Sequence, residues 1–165
     1  MTTISRIALA LVIPQFALDP KSRIHGVAHW ARVAQNGRAL AFRAGVNPSV
    51  TEWFAYLHDS QRVNDGHDPL HGSRASAFAY KLREAGTIAD LSNAEFYQLQ
   101  YALATHSDGH IDAPLAVGCC WDADRLDLPR VGTRPDPKRM ATPGGAHMAE
   151  KFWRDGPLRP LAVCI

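Results

Sequence analysis

Four stretches of this chain repeat their apolar residues at helical spacing, and each is bounded by residues that start or stop helices. In PKSRIHGVAHWARVAQNGRALAFRAG (20–45), Ile24, Val27, Ala28, Ala31, Val33 and Ala34 approximate one helical face. Asp19 or Ser22 can begin that helix and Gly45 can end it, while Asn36-Gly37 predicts a bend in its middle. PSVTEWFAYLHD (48–59) follows, with Pro48 near its first turn and Ser49 or Asn47 as cap. HGSRASAFAYKLREAG (71–86) is a third helix, ended by Gly86. LSNAEFYQLQYALATH (91–106) is a fourth, with Ser92 as N-cap and Glu95 three residues on, the pattern of a capping box.

The rest of the chain adds little against an all-α fold. PLAVGCCWDADRL (114–126) is apolar enough for a strand, yet Pro114 and its DADRL ending suit a short helix equally well. LPRVGTRPDPKRMATPGG (128–145) holds four prolines and three glycines, which predicts an ordered loop with one helical turn. GAHMAEKFWRDG gives a short terminal helix, and PLRPLAVCI an apolar tail expected to dock on the core. The apolar run Ile7 to Ile13 is too short to span a bilayer, and it reads as a first core helix or packing segment rather than a signal peptide. With no repeat or linker, residues 1–165 read as a single helical domain, a length that allows one real core.

Composition excludes some partners. A formal charge of +2 is too mild to argue for a nucleic-acid polymer, and basic residues are scattered apart from a loose cluster between Arg125 and Arg139. That cluster suits a small anion at least as well. Cys119, Cys120 and Cys164 are odd in number and lack zinc-knuckle spacing, so they read as reduced thiols of a cytoplasmic protein. No membrane partner is expected, and the oligomeric state is not legible.

The densest chemistry lies between His58 and His71, where three histidines and three aspartates fall within fourteen residues. Three histidine pairs sit four apart: His25/His29, His67/His71 and His106/His110. Only the first lies in a convincing helix, and Gly26 stands where a zincin would carry glutamate, so a metalloprotease is poorly supported. A different grouping is more coherent. His29 heads HWARV, His58-Asp59 ends an apolar helix, and Asp124 follows the apolar CCWDA segment. A carboxylate on an apolar element is costly unless it is paired or binds a cation. Two imidazoles and two carboxylates suit Mn²⁺, Fe²⁺, Co²⁺, Ni²⁺ or Zn²⁺ better than Ca²⁺. Taken singly, each histidine is more simply a cap or surface group; the ordered set reverses that reading. Trp30, Trp53, Phe54 and Trp121 read as core.

The order His29, His58-Asp59, Asp124 resembles the H…HD…D signature of the HD-domain superfamily of metal-dependent phosphohydrolases, over about residues 22–132. HWARV, LHDS and DADRLD are weak alone and specific in this order. The resemblance implies an all-α HD-type helical bundle, here with a Pro/Gly-rich C-terminal loop and a short terminal helix. It also implies that His29, His58, Asp59 and Asp124 hold a divalent metal, with Asp122 the alternative for the last. Some members hold two ions, which would add His71 and His106, or their neighbours His67 and His110, with Asp59 bridging.

A bound divalent ion activates water and polarises a phosphoryl oxygen, and the developing charge calls for arginine. Arg62, Arg74 and Arg125 each lie close in sequence to an expected ligand and are candidates to bind substrate, with surface salt bridging the ordinary alternative. Asp59, Arg62 and Asp68 are the candidate catalytic residues. Asp65 and Asp68 could orient or deprotonate the attacking water, because Arg62 stands where one family pattern has glutamate. The expected activity is hydrolysis of a phosphoester in a small molecule, such as a nucleotide. The alternatives are an HD-type di-iron oxygenase and a metal-bound binding module without turnover.

Overall fold

A computed structural model describes residues 1–155. Seven α-helices account for most of them: α1 (Thr3–Val12), α2 (Val27–Ala44), α3 (Pro48–Leu57), α4 (His71–Glu84), α5 (Asn93–Thr105), α6 (Leu115–Arg125) and α7 (Pro143–Asp155). Among the described residues there is no strand. Helix α2 packs along α3 and α6; α3 also meets α1 and α5, and α4 lies on α5. Trp30, Trp53, Phe54, Trp121, Leu99 and Leu103 are buried where these helices meet.

The helix ends follow their capping chemistry. Asn47 accepts from the Ser49 N–H at the start of α3, and Ser92 and Glu95 form the expected capping box on α5. Gly45, at φ 66°, stops α2 in the left-handed conformation that lets its N–H reach the Ala41 carbonyl. Helix α2 begins only at Val27, because residues 20–26 form turns in which the Gly26 N–H bonds Ser22 O and the Val27 N–H bonds Pro20 O. Asn36-Gly37, where a bend was expected, does not interrupt α2. Instead the pair serves packing: a Cβ at Gly37 would lie 2.9 Å from Thr51 Cβ of α3, and Asn36 donates to the Ala123 carbonyl of α6.

Residues 115–125 form a helix rather than a strand. Every residue from Ala116 to Ala123 is buried, so both faces are apolar and periodicity could not separate the two conformations. In the N-terminal run, α1 covers Ala8 and Val12, while Ile7, Leu11 and Ile13 remain more than a third exposed. Among the described residues, no helix is long and apolar enough to cross a membrane. The Pro/Gly-rich loop contains two 3-10 turns, Leu128–Val131 and Pro137–Arg139, where one turn was expected. The apolar tail after residue 156 and Cys164 lie outside the described residues.

Candidate metal centre

Five helix ends aim polar side chains at one buried point. His29 comes from the first turn of α2, His58 caps the C-terminus of α3, and Asp59 follows it. His71 opens α4, His106 caps α5, and Asp124 stands in the last turn of α6. His58, His71 and His106 use one local device. Each ring directs Nδ1 to the backbone carbonyl three residues earlier, on Ala55, Asp68 and Leu103 respectively. A carbonyl only accepts, so each Nδ1 carries the proton and each Nε2 presents its lone pair. The fourth ring, His29, is held the same way by a side chain: its Nδ1 lies 2.7 Å from Asp127 Oδ2. Asp127 is in turn gripped by Arg32 through Nε at 2.6 Å and Nη2 at 3.0 Å.

These constraints leave lone pairs facing one another. His29 Nε2 lies 3.1 Å from His58 Nε2, and His71 Nε2 lies 2.9 Å from His106 Nε2. Neither member of a pair has a proton to offer in its neutral form, so each arrangement is repulsive until a cation enters. Asp59 stands between the pairs and divides its oxygens. Oδ2 lies 3.3 Å from His58 Nε2 and 3.6 Å from His29 Nε2, while Oδ1 lies 3.6 Å from His71 Nε2 and 3.9 Å from His106 Nε2. Asp124 Oδ1 adds to the first group, 3.4 Å from His29 Nε2 and 3.8 Å from His58 Nε2. That oxygen is buried and, among the described residues, has no hydrogen-bond partner. Ligands about 2.0–2.2 Å from one ion stand roughly 3–3.5 Å from each other, so these separations fit ion coordination. Two donor groups could each hold an ion: His29, His58 and Asp59, and Asp59, His71 and His106.

The electrostatics agree with that donor chemistry except at His58, which burial lowers but Asp59 and Asp124 raise above its ordinary value, so a proton competes with a metal ion for that ring. Burial pushes the Asp59 carboxyl up, but His58 and His29 outweigh it and hold it well below the usual carboxylate range. Burial likewise raises Asp124, and His58, Arg130 and His29 bring it below its ordinary value. His106 is pushed down to about 4 by burial and by neighbouring His58, which keeps its Nε2 unprotonated at neutral pH. His71 is also lowered, chiefly by burial. Phe54 stacks on the His58 ring at 5.1 Å and meets His106 edge-on, closing the apolar side of the cluster.

The remaining sequence candidates occupy different places. His67 and His110 are exposed, and His71 and His106 are the members of their pairs that face Asp59. Asp122 is consumed elsewhere: its carboxylate accepts from the N–H groups of Ala141 and Thr142 and from the Thr142 hydroxyl, tying α6 to the start of α7. Arg62 reaches the cluster, its Nε 2.7 Å from Asp59 Oδ1 and its Nη2 3.4 Å from His71 Nε2. Arg74 turns to Asp68 at 2.6 Å and to the Gln61 carbonyl. That contact and the Val63 N–H hold Asp68 at about 2, a poor base at neutral pH. Arg125 points away from the cluster. One residue along a helix is a rotation of about 100° from Asp124, and its guanidinium donates to the carbonyls of His110 and Arg139 while lying over Trp121.

Three neighbours of the cluster were not assigned from sequence. Asp127 is three residues after Asp124, a spacing that puts both near one helix face, and that signal was present in DADRLD. Arg130 reaches Asp124 from the turn that follows α6, Nη1 to Oδ1 at 3.5 Å. His25, buried at the approach to α2, bonds Asp65 through Nδ1 at 2.7 Å. No local pattern announces those last two contacts, because the loops that make them are irregular.

No family model and no curated protein matches the sequence. Among solved structures, the crystal structure of a predicted HD superfamily hydrolase from an uncultured Thermotogales bacterium resembles it with a TM-score of 0.71. The two are 24% identical, and the match covers 90% of this chain and 84% of the other. The helical bundle described above is therefore the fold of that predicted HD hydrolase.

Proposed function

We propose that this chain is a metal-dependent hydrolase that cleaves a phosphoester of a small molecule, with nucleotides the first substrate class to test. One observation carries the reading: two pairs of imidazole lone pairs, fixed by their Nδ1 bonds, face each other across the two oxygens of Asp59. Such a cluster is unstable without cations and well shaped for one or two of them. The HD hydrolase with this fold points the same way.

His29, His58, Asp59 and Asp124 would hold the first ion, and Asp59, His71 and His106 a second; Mn, Fe, Co, Ni and Zn all suit these donors. A divalent ion there would supply Lewis acidity, activating a water and polarising a phosphoryl oxygen. The chain's own residues do the rest. Asp59 brings buried negative charge to the centre of the donor set, and Arg62 holds Asp59 Oδ1 while placing a second nitrogen beside His71. The Phe54 ring excludes water from the rear of the imidazoles. The His25–Asp65 pair and the Arg62 bond to the Gly66 carbonyl tie the loop over residues 61–70 to the cluster.

Two other readings share the donor set. A di-iron oxygenase needs six ligands of this kind, and a binding module needs the metal without turnover. Elemental analysis of freshly purified protein, followed by a phosphatase and phosphodiesterase panel with that metal, separates the three. Phosphoester hydrolysis that disappears in Asp59→Ala at saturating metal supports the proposal. Iron with an oxygen-dependent spectrum and no hydrolysis would favour the oxygenase, and full turnover in Asp59→Ala would remove the cluster from catalysis.

A further inference from the structure

Four arginines approach aspartates around this cluster, and one of them is left incomplete. Arg62, Arg32 and Arg74 each close on a carboxylate at 2.6–2.7 Å. Arg130 does not. Its Nε donates to the Ile24 carbonyl at 2.8 Å, which anchors the side chain across the start of α2. Its Nη1 stops 3.5 Å from Asp124 Oδ1, longer than a charged hydrogen bond. Both of those atoms are buried, and among the described residues neither has a hydrogen-bond partner. The Arg130 side chain is nine-tenths buried, so water does not freely satisfy it. A buried guanidinium nitrogen without an acceptor is costly unless something arrives to accept from it.

We propose that Arg130 Nη1 is the anion contact of the first donor group, and that it receives a phosphoryl oxygen of the substrate. This rests on the phosphoester reading above and adds to it a residue and a substrate charge. The geometry is matched on the other side. Arg62 Nη2 faces His71 Nε2 of the second group as Arg130 Nη1 faces Asp124 Oδ1 of the first. A cation that occupies those lone pairs takes away the acceptor each guanidinium faces and leaves its N–H for a ligand. One arginine then serves each donor group, from opposite sides of Asp59.

Charge indicates which anion fits. Asp59 and Asp124 are balanced by Arg62 and Arg130, and the Asp127–Arg32 and Asp68–Arg74 pairs are neutral. With neutral imidazoles, each divalent ion adds two positive charges, and Asp65, bonded to His25 beside the cluster, offsets one charge in all. With two ions bound the remaining excess favours a dianionic terminal phosphate, as in a phosphomonoester, over a singly charged diester, which compensates half as much. Arg74 and Arg125 direct their head groups to other partners, Asp68 and the Gln61 carbonyl for the one and the His110 and Arg139 carbonyls for the other.

The test is titration of inorganic phosphate into the full chain reconstituted with Mn²⁺, for wild type, Arg130→Gln and Arg130→Lys. Metal affinity is measured in parallel by chelator competition, and folding by thermal denaturation of the metal-free proteins. Loss of a charged contact should weaken phosphate in Arg130→Gln by about 10–100-fold. Metal should bind at least as tightly, because a like charge is gone. Arg130→Lys keeps the charge and a donor for Ile24, so it should fold even where the glutamine variant does not, and bind phosphate with intermediate affinity. Phosphate bound equally by all metal-loaded proteins makes Arg130 only a counter-ion to Asp124 and overturns the proposal. A wild type that binds Mn²⁺ but no phosphate overturns the phosphoester reading as well, so the two failures are distinguishable.

Discussion

Asp127 shows how a residue that touches no ion can decide whether one binds. Its carboxylate accepts the His29 Nδ1 proton, which fixes the tautomer and turns Nε2 toward His58. Arg32 holds the carboxylate bidentately, so the carboxylate cannot follow the imidazole and any swing of the ring breaks the Nδ1 bond. Asp127→Ala should therefore lower metal affinity by about 10–100-fold. Arg32 is only partly buried and can be resolvated, so the metal-free fold should survive. Asp127→Asn, which keeps an acceptor oxygen, should recover much of the affinity. Chelator competition reads the affinities and circular dichroism the fold; unchanged affinity in the alanine variant would make Asp127 a structural pair with Arg32 alone. At this scale the sequence was informative about residue type and order. His29, His58, Asp59 and Asp124 are brought together as their order suggested, and the choice of His71 and His106 over His67 and His110 follows from helix ends that local pattern marks poorly. The arginines were less legible, because a guanidinium six bonds from its backbone can turn toward several partners.

Helices α4 and α5 carry the second donor group, and their separation is set by a glycine. A Cβ on Gly72 would come 2.6 Å from the Leu103 carbonyl oxygen and 2.9 Å from that of Ala104, both backbone atoms of α5. Neither can move without shifting α5, whose cap is His106. Gly72 stands immediately after His71, so the same close approach places His71 Nε2 against His106 Nε2 at 2.9 Å. Gly72→Ala should push the two helices apart, at a stability cost of about 1–3 kcal/mol typical of overpacking. The second donor group should open while His29, His58 and Asp124 stay in place. Metal titration should then show one fewer ion per chain, or no change in a protein that binds only one, and denaturation should show the stability loss. Full stoichiometry with undiminished stability would mean that α5 yields freely. Element boundaries were legible wherever a cap was present, as at Asn47, Ser92 and Gly45. They were illegible where tertiary contacts override propensity. Asn36-Gly37 has the composition of a bend, yet α2 runs unbroken through it and the crowding of Thr51 makes the missing Cβ useful there.

At the scale of the whole molecule the donors come from the ends of α2, α3, α4, α5 and α6, so an ion in the first group would join α2, α3 and α6 and one in the second α3, α4 and α5, adding to polar links such as His29–Asp127. The repulsion between facing lone pairs, and the burial of Asp59 and Asp124, are borne by the metal-free fold. Binding removes both costs and stabilises only the native state, since an unfolded chain does not assemble the donors. Metal at about 100 times its dissociation constant should thus add roughly 2.7 kcal/mol of stability per independent site. Thermal denaturation with excess chelator, and then with increasing Mn²⁺ or Zn²⁺, should show a melting temperature that keeps rising with concentration after the site is saturated. His71→Ala should lose the part of that rise owed to the second group and keep the part owed to the first. Asp59→Ala, which takes an oxygen from both, should lose most of it, and its metal-free form should melt lower as well, because the largely buried Arg62 guanidinium is left without its carboxylate. A melting temperature indifferent to chelator and metal in the wild type would show that the five ends are held together without an ion, and that the cluster does not bind ions tightly enough to matter to the fold.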